Sequence, residues 1–195
     1  MDSPIADARK PTRRLPGDPG VWFFITADTC MFGLFFASFV VERLHNVALF
    51  DTSQKALSQT IGMLNTLFLV SGSYFVVLAV DAAKRAARQR VVTCLALALA
   101  CAIAFGIAKV VEYGDKFRHG LSPVTNDFFT YYFILTGLHF VHVLIAIIVT
   151  IVLIRMSRKT DFGERYMVIL ESGASYWHMV DLLWVVLFPL VYLVK

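Results

Sequence analysis

The residues of this sequence with chemistry to offer are ionisable side chains set inside long apolar runs. Each costs roughly 2.5–3.5 kcal/mol at the centre of a bilayer on insertion scales, so each needs a partner or a purpose. In Thr26-Ala27-Asp28-Thr29-Cys30-Met31-Phe32 an aspartate stands with no basic neighbour on its own run. It suits either a carboxyl held by hydrogen bonds between helices or a group serving proton or substrate access. Lys109 and Glu112 are three residues apart and opposite in sign, so one helix face brings them together and mutual neutralisation is the favoured reading. His139 and His142, in Thr136-Gly137-Leu138-His139-Phe140-Val141-His142, also share a face, and two imidazoles at that spacing suit a metal. No carboxylate or cysteine accompanies them on that run, which favours hydrogen bonding between helices over ligation.

The richest run is Glu171-Ser172-Gly173-Ala174-Ser175-Tyr176-Trp177-His178-Met179-Val180-Asp181-Leu182-Leu183-Trp184. Glu171 and His178 are almost two helical turns apart and share a face, and Asp181 lies one turn beyond His178. A histidine flanked by two carboxylates can relay protons or lock helices together, and the lock is favoured. Such an edge is too polar for hydrocarbon, so it is expected to pack against the third or fourth apolar run, where Glu112, His139 and His142 offer partners. Trp177 and Trp184 form a parallel aromatic stripe for helix or lipid packing. The three cysteines, Cys30, Cys94 and Cys101, lie in apolar runs without CxxC spacing, so neither a disulfide framework nor a metal site is expected. No pattern designates a catalytic group.

These groups must be positioned by membrane-spanning helices. A chain of 195 residues that is 58% hydrophobic and 16% charged has more apolar surface than one water-soluble core of that length can hide. Five stretches reach the roughly 20 apolar residues that cross a bilayer: residues 21–41, 61–80, 91–111, 128–154 and 167–194. The expected fold is therefore all-α, an integral membrane bundle of five transmembrane helices occupying residues 21–195. It follows a flexible cytoplasmic tail of residues 1–20, in which four prolines break regular structure. The first run is too long, and lacks the following small-residue site, for a cleaved signal peptide. Basic residues in the connections alternate, twelve on the side of the N-terminus against five on the other, which places the N-terminus inside and the C-terminus outside. The net charge of +4 is dispersed in short clusters beside apolar runs, so no nucleic-acid partner is expected. No internal repeat of the transporter type is present.

The run from Tyr176 to Tyr192, Tyr-Trp-His-Met-Val-Asp-Leu-Leu-Trp-Val-Val-Leu-Phe-Pro-Leu-Val-Tyr, closely resembles the last helix of subunit III of haem-copper terminal oxidases. That helix carries tyrosine, tryptophan, histidine, an aromatic, valine, aspartate, two apolar positions and tryptophan. Glu112-Tyr113 closing the third run, Thr136-Gly137-x-His139-x-x-His142 in the fourth, and an acidic residue before Met31-Phe32 in the first extend the resemblance over residues 16–194. The chain has aspartate at Asp28 where most members have glutamate, and Lys109 where glutamine is common. Together with five helices in place of seven, these departures make it similar to the subunit III homologues that accompany nitric oxide reductase.

The resemblance implies an accessory subunit without redox cofactors, bound beside the catalytic subunit of a haem-copper oxidase or nitric oxide reductase in the bacterial cytoplasmic membrane. It also implies structural phospholipid held between helices and a role in oxygen or proton access. Asp28 would lie near the lipid cleft, and Glu171 and His178 would take the place of the family's carboxylate and histidine of the last helix. Two other function classes compete: a haem-bearing anchor using His139 or His142 with His178 as axial ligands, and an independent proton-coupled channel built on Asp28, Glu171 and His178. Five histidines in all, with His45 and His119 in connections, are too few for a haem-copper centre together with a second haem.

Overall fold

The computed structural model describes residues 17–159 and 162–194, so most of the expected tail, with Arg9, Lys10, Arg13 and Arg14, lies outside the described residues. The described chain is helical throughout: α1 (Pro19–His45), α2 (Val47–Gln54), α3 (Gln59–Lys84), α4 (Arg88–Arg118), α5 (Asp127–Lys159), α6 (Glu164–Phe188) and a π-helical turn (Pro189–Leu193). Five of these segments are long and apolar enough to cross a membrane, the last running from Glu164 to Leu193 through the π turn. They match the five expected runs with ends further out, except that the last stops at Leu193. The extra turns carry residues such as Lys84, Arg88, Arg118 and Lys159, whose charges reach water while the backbone stays helical.

Helix starts and stops follow local chemistry. Pro19 presets the first turn of α1, and the Asp18 side chain accepts the Gly20 N–H at 2.7 Å. The expected tail thus ends before residue 20. The Gly17 N–H donates to Glu171 Oε2 at 3.3 Å and the Asp18 N–H to Ser172 Oγ at 2.9 Å, which fastens the beginning of α1 to α6. At the end of α4, Gly120 takes φ +73°, and its N–H and that of Leu121 satisfy the carbonyls of Phe117 and Lys116. That is the left-handed helix stop for which glycine is the natural residue. Ala86 makes the same closure after α3 at φ 54° with Cβ present, at a strain of about 1 kcal/mol.

The bundle is held by seams with a repeat close to 3.5. On α4 the buried positions are Val91, Leu95, Ala98, Ala102, Phe105, Lys109, Glu112 and Lys116. On α3 they include Gly62, Asn65, Leu69, Gly72, Val76 and Ala79. A seam of that period keeps one face against its neighbour along a whole span, the geometry of left-handed helix packing. Small residues let the backbones approach: a Cβ placed on Gly72 would lie 2.7 Å from the Trp177 ring and 3.3 Å from Cys101 Cβ. α3 and α4 pair along their length, α6 packs against both α3 and α5, and α1 leans on α5 and α6 from outside.

Two features of the chain were not expected. The short helix α2 lies in the first connection, and it is too short to register as a span. The π turn arises because Pro189 has no N–H to continue the ladder; the Val194 N–H instead reaches the Pro189 carbonyl at 3.0 Å. The carbonyls left over are met by the end of α2 and the start of α3: the Gln54 amide donates to Val191 O at 3.0 Å and the Gln59 amide to Tyr192 O at 3.2 Å.

Candidate functional site

Because Lys109 and Glu112 occupy consecutive positions of the α4 seam, the packing that buries Phe105 also drives both charges inward, where Lys109 is 0% and Glu112 1% exposed. Lys109 Nζ donates to Glu112 Oε2 at 2.8 Å, to Tyr192 Oη at 3.0 Å and to Tyr132 Oη at 3.4 Å. All three ammonium hydrogens therefore have acceptors. The Tyr192 hydroxyl in turn donates to Glu112 Oε1 at 2.7 Å, closing a ring of three groups. Four aromatic faces surround the ammonium with centroids 5.0–5.6 Å away, from Tyr113, Tyr132, Trp184 and Tyr192. The π turn has a purpose here: it turns Tyr192 inward, to 0% exposure. The cluster joins α4, α5 and the π turn after α6 in a charge-balanced knot.

A second pair crosses from α1 to α5. His142 Nδ1 lies 2.8 Å from its own helix's Leu138 carbonyl, and Nε2 lies 3.1 Å from Asp28 Oδ1. A carbonyl only accepts, so Nδ1 carries a hydrogen. The Asp28–His142 contact then holds a single proton, placed either on an imidazolium facing a carboxylate or on a carboxylic acid facing a neutral imidazole. Tyr176 of α6 donates to the His142 carbonyl at 3.2 Å, while Asp28 Oδ2 is buried without a partner. His139, one turn earlier, donates from Nε2 to the Val180 carbonyl of α6 at 2.9 Å; its Nδ1 is buried and unbonded. Between this pair and the Lys109 cluster, Tyr113 donates to Thr136 Oγ1 at 2.6 Å.

The polar edge of α6 does not meet the third and fourth spans as expected. His178 Nδ1 lies 2.7 Å from Ser73 Oγ on α3, with Asp181 Oδ2 at 3.8 Å. Glu171 accepts the Gly17 N–H and stands 4.0 Å from Lys84. The reason is rotational: the seam of α6 that enters the core is Leu170, Ala174, Trp177, Val180, Trp184 and Leu187, which leaves Glu171, His178 and Asp181 on the flank toward α3. Of the two tryptophans, Trp177 packs on Gly72, and the Trp184 indole donates to Thr66 Oγ1 at 3.0 Å. Asp28, Glu171 and His178, grouped by the channel reading, have separate partners. Among the described residues no three His, Cys, Asp or Glu side chains gather as a metal-binding group.

Residues 18–195 match the protein family described as cytochrome c oxidase subunit III. The chain belongs to that family. It is 31% identical over 192 residues to a probable cytochrome c oxidase subunit 3 of Rickettsia bellii, covering 89% of this chain and 67% of that protein. It is 23% identical over 175 residues to a probable quinol oxidase subunit 3 of Staphylococcus aureus, covering 90% and 87%. It is also 26% identical over 180 residues to a haem-copper oxidase subunit I+III of Aeropyrum pernix, where the match spans 89% of this chain but only 22% of the longer protein.

For this subunit III family member, several partners in the site carried no signal along the sequence. Tyr132 and Tyr192, which complete the Lys109 cluster, look like ordinary aromatic residues of apolar helices. Ser73 is one of several serines. Arg43, one of the five basic residues on the side expected to be outside, is buried with its guanidinium 2.6 Å from Asp51 of α2. Its spacing of eight from an aspartate across a helix break gives no periodic cue.

Proposed function

We propose that this chain is a non-catalytic accessory subunit of a haem-copper terminal oxidase or nitric oxide reductase complex, seated beside the catalytic subunit in the bacterial cytoplasmic membrane. In that role it supports assembly, holds structural phospholipid and shapes oxygen or proton access, with no redox cofactor of its own. The observation that carries this reading is that each buried ionisable side chain of the spans has at least one partner within the chain. Lys109 and Glu112 are closed into a ring with Tyr192. His142 has both ring nitrogens engaged, and His139 has Nε2 engaged and no exposed surface. The haem-anchor reading pairs His178 with His139 or His142, and neither of those two turns a ring nitrogen toward an open site as an axial ligand needs, so this arrangement favours a scaffold over a haem anchor.

The relatives support the partner: the Aeropyrum protein is named as subunits I and III in one chain. An apolar cleft of about 440 Å³ between α1, α5 and α6, lined by Val21, Phe24, Ile145 and Ile169 and rimmed by Asp18 and Ser172, suits an acyl chain beside Asp28's helix. The basic asymmetry of the connections supports an N-terminus inside and a C-terminus outside; cytoplasmic activity of a reporter fused after Lys195 would contradict that orientation. The functional test is the absorption spectrum and metal content of the chain freed from its partner. No Soret band and no stoichiometric copper or iron are expected, and about one haem or metal per chain overturns the reading.

A further inference from the structure

His178 lies at the centre of the Glu164–Leu193 span, yet its side chain is 40% exposed. The outward residues of the other spans are apolar at comparable or greater exposure: Leu34 of α1 at 75%, Ile107 of α4 at 61% and Ile148 of α5 at 60%. Only the flank formed by α3 and α6 offers an imidazole and a carboxylate to its surroundings at this depth among the described residues. His178 lines a groove of about 280 Å³ together with Val77, Lys84 and Glu171, and its ring meets Ser73 with Asp181 nearby. Exposed ionisable groups in hydrocarbon are strongly disfavoured, so such a flank belongs against protein.

The hydrogen bonding states what that protein must supply. Among the described residues the Ser73 hydroxyl has no bond but the one to His178 Nδ1 at 2.7 Å; in the neutral tautomer where that hydroxyl donates to Nδ1, which uses its hydrogen, Nε2 carries the ring hydrogen. If the ring is protonated, Nε2 carries one as well. In that tautomer and in the imidazolium alike, Nε2–H is a donor without a partner among the described residues. The Asp181 carboxylate, 3.8 Å from Nδ1 and beyond hydrogen-bond reach, is an acceptor without a donor among the described residues.

We infer that the α3–α6 flank is the docking face for a transmembrane helix of the catalytic subunit, which presents a hydrogen-bond acceptor to His178 Nε2 and, about one turn along, a donor to Asp181. This inference rests on the accessory-subunit reading and names the face through which it operates. The exposed apolar residues one turn from the polar groups, Val77 on α3 and Leu182 on α6, 51% and 56% exposed, then form the greasy border of the contact.

The test is photo-crosslinking in membranes that contain the whole complex, with p-benzoylphenylalanine placed singly at Val77, Leu182, Leu34, Ile107 or Ile148. Adducts to the large subunit are expected from Val77 and Leu182 and not from the other three. Failure of both Val77 and Leu182 in a complex that still contains the large subunit overturns the docking face and leaves the accessory reading standing. Recovery of the chain with no large subunit at all overturns both. In parallel, His178→Leu should lower retention of this chain in the purified complex roughly five- to tenfold, the worth of one hydrogen bond between membrane helices. His178→Gln, which keeps an N–H donor, should restore most of it. Equal loss with both variants, while Val77 gives no adduct, assigns His178 to internal packing and overturns the proposal.

Discussion

Lys109→Met should destabilise the folded chain by about 3–5 kcal/mol, the usual effect of removing one partner from a buried ion pair. Glu112 would keep its bond from Tyr192 but lose the ammonium that neutralises it in a space with 1% exposure. The contacts of the ammonium with four aromatic rings are a smaller loss, since each is worth about 0.5–2 kcal/mol and a methionine still fills the space between the rings. The double variant Lys109→Met with Glu112→Leu should therefore recover much of the stability, because it removes the unpaired charge together with its partner. Arg85→Ala, which breaks the exposed Arg85–Asp81 pair at 3.1 Å, should change stability by less than about 1 kcal/mol. The measurement is the fraction of chain that remains monodisperse in detergent after heating across a temperature series. A double variant as unstable as Lys109→Met would show that the cluster is held by something other than charge balance.

The second large effect is expected at α1. Asp28→Leu removes the group facing His142 Nε2 and strands that nitrogen in an interior without water, at about 1–3 kcal/mol. Asp28→Asn should be nearly neutral, because its amide can donate to Nε2 while His142 Nδ1–H remains on the Leu138 carbonyl. The effect is large for the fold because α1 touches the rest of the bundle chiefly through α5 and α6. Limited proteolysis of α1 in detergent-solubilised protein reads it directly: rapid cleavage of Asp28→Leu and wild-type resistance of Asp28→Asn are expected. Equal resistance of both would remove the Asp28–His142 bond from the account of how α1 is held.

What the sequence made legible was whatever depends on one helix. Apolar length located the five spans, because the requirement for about 20 apolar residues is set by the bilayer rather than by neighbours. The spacing of three between Lys109 and Glu112 announced a pair that a single helix geometry forms. What stayed hidden depends on two helices at once. Asp28 and His142 are 114 residues apart in the chain, and no periodicity joins them. The α6 edge was recognised as polar, but its direction was not, since the rotation of α6 is settled by which of its apolar residues fill the core. Trp177 against Gly72 and Trp184 against Phe105 win that contest and leave His178 to Ser73. The inward turn of Tyr192 follows from Pro189, a residue whose effect on a helix end was visible while the widened turn it produced was not.

The central claim, that the chain serves a redox complex without performing the redox step, is tested most directly by purifying it in mild detergent through a tag from its own membranes. The co-purified proteins are then identified by mass spectrometry and the spectrum of the preparation recorded. The account predicts a large haem-bearing catalytic subunit in about equal amount, whose haem bands leave with that subunit when the two are separated. A preparation that contains this chain alone, or one whose haem stays with this chain after separation, would contradict it.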